Sequence, residues 1–130
     1  MLALATAFAA SQAVSSRTVP KPAFRAKAAS DEELQFSVRR PLPPVTGLRV
    51  FLNPSPGSPL TAENPGYVGM VSFSEDPASR QSFTLPLPKV IHERSQLMVV
   101  PIGEADRPAP SIKIAIRSAR IVPADNSAFR

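Results

Sequence analysis

The chain has 130 residues, 43% of them hydrophobic, with a formal net charge of +5, one histidine, sixteen prolines and no cysteine. That length suits one domain and that apolar share suffices for a core. The missing cysteines exclude disulfides, thiolate metal sites and cysteine nucleophiles, and no apolar run approaches the ~18–20 residues that span a bilayer.

Residues 1–16 read as a short Ala-rich helix. Met1 is followed directly by Leu2 rather than by the basic opening of a secretory signal, so residues 1–13 read as a helical or irregular lead-in. The compartment stays open, with a lean to a secreted or periplasmic setting. Residues 17–29 mix Pro20 and Pro22 with four basic residues and read as an exposed arm or connector. Ser30-Asp31-Glu32-Glu33 resembles a helix start, but Leu34-Gln35-Phe36-Ser37-Val38 then alternates, so the acidic cluster reads as a turn into a first strand. Further strands follow at roughly 47–53, 66–74, 81–87, 96–102 and 111–117, with residues 119–122 continuing or pairing after a kink. In Ile112-Lys113-Ile114-Ala115-Ile116-Arg117 three isoleucines share one face, with Lys113 and Arg117 on the other. The prolines fall between these runs, where they end strands and stiffen loops.

The expected fold is all-β: an antiparallel β-sandwich or flattened barrel of six to eight strands with an extended N-terminal arm. Its domain spans residues 34–122, preceded by an arm or connector over 1–33 and followed by a tail over 123–130. The expected core is Leu48, Val50, Leu52, Val71, Phe73, Phe83, Leu85, Val99, Ile112, Ile114 and Ile116. Residues 1–30 are expected to pack poorly.

Residues for catalysis are nearly absent. His92, beside Glu93 and Arg94, reads as a surface residue, and a single imidazole cannot build a zinc or paired copper site. The serines have no His and Asp partners in a triad pattern. Glu75-Asp76 and Glu104-Asp106 read as solvated turns rather than an acid/base pair, and the five glycines form no phosphate loop. Nucleic acid is not the expected partner: six basic residues stand against three acidic ones before residue 45, and nine against seven after it. No block has the density of a basic arm, and the aromatics lie on apolar strand faces rather than among arginines.

Asn64-Pro65-Gly66-Tyr67-Val68-Gly69 is a Pro-Gly turn feeding an aromatic strand start. Gly69, on the same face as Tyr67 by strand parity, would leave room beside the ring. The loop before it, Asn53-Pro54-Ser55-Pro56-Gly57-Ser58-Pro59, is stiff and poor in charge. Tyr67, Phe51, Pro54 and Pro56 are therefore the candidate partner-facing residues, against the plainer reading of Tyr67 as a half-buried core residue.

The order of these segments resembles a known family. A strand ending in Phe-Leu-Asn, a Pro/Ser/Gly loop and Tyr-Val-Gly-x-Val-Ser-Phe are followed by Ser82-Phe83-Thr84-Leu85. Leu97-Met98-Val99-Val100-Pro101 and an isoleucine-rich close complete the order. Over residues 34–122 this resembles the C-terminal β-domain that follows the catalytic domain of tyrosinases and polyphenol oxidases, the type-3 copper oxidases. The family's catalytic signature, two sets of three copper-binding histidines, is not in this chain, so no copper ligand carries over. The resemblance implies an accessory role: a non-catalytic domain that covers or stabilises a copper catalytic domain in cis or in trans. The di-copper cofactor would then belong to that partner, in a phenol-oxidising enzyme of which this chain is a part. The alternative is an independent secreted or periplasmic β-sandwich that binds a protein or carbohydrate ligand.

Overall fold

The structure, a computed structural model, describes residues 14–39, 41, 45–74, 80–103 and 113–124. Their regular elements are one 3-10 turn (Ala29–Asp31) and seven strands: β1 (Ser15–Val19), β2 (Glu32–Arg39), β3 (Gly47–Leu52), β4 (Tyr67–Ser72), β5 (Arg80–Pro86), β6 (Ser95–Ile102) and β7 (Ile116–Pro123). All pairings are antiparallel. One sheet runs β1-β6-β3-β4 and the other β5-β2-β7. The protein is a two-sheet β-sandwich rather than a closed barrel.

Period-two alternation explains the second sheet. Leu34, Phe36 and Val38 of β2 point inward with Ala119 and Ile121 of β7, and all are buried. Phe83 on β5 packs against Phe36 with ring centroids 5.5 Å apart, and Phe73 meets Phe83 edge-on at 5.7 Å. From the first sheet come Val19, Leu48, Val50, Leu52, Val71, Leu97 and Val99. Of the expected core, Leu48, Val50, Leu52, Val71, Val99 and Ile114 are buried in this cluster, and Phe73, Phe83, Leu85 and Ile116 pack against it partly buried. Ile112 lies outside the described residues.

Side chains close both seams between the sheets. On one side Arg17 of β1 donates from Nη1 to the Ile116 carbonyl at 3.1 Å, and the Ile114 amide donates to Ser15 Oγ at 2.9 Å. On the other, the Gln81 amide bridges the backbone of Ser74: Oε1 accepts from its N–H at 3.0 Å and Nε2 donates to its carbonyl at 3.3 Å. These are side-chain clasps, not ladders, so the sheets remain two.

Several expectations need correction. The arm over 1–33 is not wholly outside the fold, because Ser15–Val19 pairs with β6 along its length and Val19 is fully buried. A basic, proline-containing segment still joins a sheet when its alternation supplies one inward apolar residue and a free edge accepts its backbone. The last strand starts at Ile116 rather than near 111, and it runs through Pro123. Lys113, Ile114 and Ala115 cross between the sheet edges instead, bonded to Ser15 and to the Arg39 amide. The isoleucine alternation therefore serves a bridge before the strand. The helix expected over residues 1–16 is also corrected where it is described, since Ser15 and Ser16 belong to β1, and residues 1–13 lie outside the described residues. Of the tail expected over 123–130, Pro123 closes β7, and residues 125–130 lie outside the described residues.

The acidic cluster is a turn only through Asp31, since Glu32 and Glu33 already belong to β2. Asp31 Oδ2 accepts from the amides of Lys27 and Ala28 at 3.3 and 3.2 Å, and β2 begins at the next residue. Phe36→Ala should cost about 3–5 kcal/mol of stability, measured by urea unfolding. A loss below about 1 kcal/mol would show that the inter-sheet core does not centre on this ring.

Candidate functional site

The loop between β3 and β4, residues 53–66, is organised from its residues upward. Asn53 leaves β3 in the left-handed conformation, φ 52°, which asparagine tolerates better than most residues. Its side chain accepts from the Gln96 amide at 2.9 Å and donates to Ser95 Oγ at 3.1 Å, tying the loop to β6. At the other end Asn64, only 4% exposed, uses its whole amide. Oδ1 accepts from the backbone N–H groups of Ser55 and Gly66 at 3.1 and 2.8 Å. Nδ2 donates to the Pro59 carbonyl at 3.1 Å and reaches that of Ser58 at 3.5 Å.

Gly66 is required for this closure. A Cβ there would stand 2.6 Å from Pro54 Cα and 2.9 Å from the Leu52 carbonyl oxygen. With its ends pinned and its prolines limiting φ, the loop has little conformational freedom left to lose. Leu60 drops from it onto the outer face of the first sheet.

That outer face holds a second apolar cluster. Phe51, Val100 and Ile102 are at most 1% exposed, and Val14, Leu60, Tyr67 and Met98 pack against them. The sequence-predicted residues separate accordingly. Phe51 is fully buried, so it has no surface to offer a partner. Tyr67 is half-buried with its ring edge-on to Phe51, centroids 5.6 Å apart. Pro54 is half-buried, and Pro56 is exposed at the loop's crown with Gly57 and Pro59.

Gly69 does not sit beside Tyr67. The β3–β4 register slips between Val50 and Phe51, so Val68 is an extra residue. The slip reverses parity: Tyr67 faces outward, while a Cβ on Gly69 would point at Leu85 in the core. The signal that was legible is β6, where Leu97-Met98-Val99-Val100-Pro101-Ile102 is apolar without alternation, as a strand buried on both faces must be.

His92, Glu93 and Arg94 are exposed, as a surface reading expects. Glu75-Asp76 and Glu104-Asp106 lie outside the described residues. Among the described residues no three His, Cys, Asp or Glu side chains gather as metal ligands, and no helix is long and apolar enough to cross a membrane. No protein-family model matches the chain, and comparisons with curated proteins and with solved structures gave no significant match.

The loop yields a direct test. Asn64→Ala should leave the Ser55 and Gly66 amides without their acceptor and lower stability by about 2 kcal/mol or more. Hydrogen exchange at those two amides should accelerate with it. Unchanged exchange would mean that the prolines alone hold the loop.

Proposed function

We propose that the protein is a non-catalytic accessory domain that covers or stabilises a copper-containing catalytic domain, in cis or in trans, as its resemblance to the C-terminal β-domain of tyrosinases and polyphenol oxidases implies. The observation that carries the reading is the pre-organised loop over residues 53–66. Its crown is exposed, rich in proline and poor in charge, and Asn53 and Asn64 fix it before any partner arrives. Such a loop loses little entropy on docking, which is the chief cost of using a loop as a contact surface. The two-sheet sandwich beneath it supplies a rigid base. A di-copper centre would belong to the partner, since this chain contains one imidazole.

The burial of Phe51 moves the proposed contact from the strand to the crown. Pro56, Gly57, Pro59, Ala62 and Glu63 are exposed there. Tyr67 contributes at most its outer edge, and its packing on Phe51 makes Tyr67→Ala a stability variant, with an expected loss of about 2 kcal/mol.

The probe for docking is therefore Pro56→Arg, which places a charge on the crown without touching the core. Titrated calorimetrically into a His-rich copper catalytic domain of the tyrosinase type, it should bind about tenfold more weakly than wild type. Its melting temperature should not change. Equal affinity for both proteins would sink the crown as the contact. Incubated alone with copper and a catechol, the chain should oxidise no faster than free copper.

A further inference from the structure

The outward face of the β5-β2-β7 sheet carries a cationic cluster that neither the core nor the loop uses. Its central row is Ser82–Ser37–Ser118, three serines in register across the three strands. Ser37 and Ser118 share a hydrogen bond of 2.8 Å between their Oγ atoms. Two residues along β2 the next row sets Arg39 directly opposite Arg80. On β7 the register slips between Ser37 and Val38, and Arg117 is the extra residue. That slip leaves Arg117 and Ser118, consecutive in the chain, both exposed beside the serine row. At the other side of the row Arg120 is fixed by donating from Nε to Gln35 Oε1 at 2.8 Å. A depression of about 510 Å³ lies over the serine row, lined by Gln35, Ser37, Arg80, Ser82, Ser118 and Arg120, with Arg39 and Arg117 outside its lining.

Two features of this face work against stability. Like charges directly opposite on neighbouring strands repel, and the guanidiniums of Arg39, Arg80 and Arg117 have no hydrogen bond or ion pair among the described residues. The only described carboxylate on the face is Glu33, four residues from Ser37 and so ~13 Å along the strand. A bulge that adds a third guanidinium compounds the repulsion, and bulges of this kind commonly re-aim a side chain at a binding site.

We propose that this face is an anion site for a phosphate monoester carried on a peptide segment of a partner protein. A monoester brings close to two negative charges and three strong acceptor oxygens. Three unpaired guanidiniums offer forked donors that match that geometry, and the serine row adds neutral hydroxyls beside them. The open sheet face favours a group presented by a macromolecule, because small free ligands are bound in clefts that enclose most of their surface. Phe36 is buried and Phe83 packs against the core, so among the described residues the face has no aromatic platform for nucleobases. Recognition of a phosphorylated segment by clustered arginines is the mode that remains. The site goes beyond the docking role proposed above and does not depend on it, since the crown of loop 53–66 belongs to the other sheet.

The test is a fluorescence-anisotropy titration with a labelled phosphoserine peptide flanked by glycines, its unphosphorylated twin and an oligo-dT strand, at about 50 mM salt where charge contacts are little screened. The phosphopeptide should bind about tenfold or more tightly than its twin, and inorganic phosphate should compete for it. Arg39→Gln combined with Arg80→Gln should weaken it about tenfold, as should Arg117→Gln alone, whereas Arg94→Gln on the distant loop should change nothing. Because the double variant removes a repulsion, it should melt no lower than wild type, and Arg117→Gln serves if the double variant fails to fold. Equal binding of twin and phosphopeptide would overturn the proposal. So would tighter binding of oligo-dT, which would make this a nucleic-acid face, or an equal loss in Arg94→Gln, which would reduce it to net charge.

Discussion

The two sheets of this sandwich are buried unequally, and the rest of the molecule follows from that asymmetry. β6 is apolar on both faces over residues 97–102, and β3 adds Phe51 to the outer one beside Arg49: Val50 and Val99 turn to the inter-sheet core, while Phe51, Val100 and Ile102 turn the other way and are as completely buried. An apolar outer face cannot be left to water, so the chain must cover it. Leu60, delivered by the loop over residues 53–66, is one described part of that cover. The loop is thus bound to the fold by a packing requirement, and its hydrogen-bonded ends are the means of meeting it. Its rigidity comes from the same contacts.

The second sheet has the opposite arrangement. β2 alternates strictly in Leu34, Phe36 and Val38, and β5 and β7 supply one inward row each, so a single face satisfies its apolar residues. The outer face is free to carry charge and hydroxyls. Natural sequences generally agree with their folds at every level and break that agreement where function demands it. By that criterion the facing Arg39 and Arg80 are the most informative residues of this sheet. They add nothing to packing, they repel one another, and the chain could remove the conflict with one substitution.

Much of the sandwich was legible from strand periodicity, because a half-buried strand must alternate. The position of β2 to β6 and most of the core follow from it. What periodicity missed has three physical causes. A parity argument fails at a bulge, and both bulges lie at places of interest: one turns Gly69 away from Tyr67, the other puts Arg117 beside Ser118. Alternation also does not distinguish a strand from an extended bridge, so Ile114 is buried as expected although it lies before β7. Finally, an edge strand such as β1 needs only one inward residue and a free ladder, a signal too weak to separate from a linker.

Phe51 shows why the same sequence features can point to the wrong face. An aromatic beside a proline-rich loop invites an interface reading, and on a sheet buried on one side only that reading would be sound. Here Phe51 sits on the strand next to β6, whose unbroken apolar run already requires cover on both faces. The ring is one component of the second core, and Tyr67 closes its margin. Sites on this protein are therefore to be sought where apolar demand has been met and polar residues still stand unpaired. Among the described residues the facing Arg39 and Arg80 meet that condition, on the sheet opposite the loop and away from both apolar clusters.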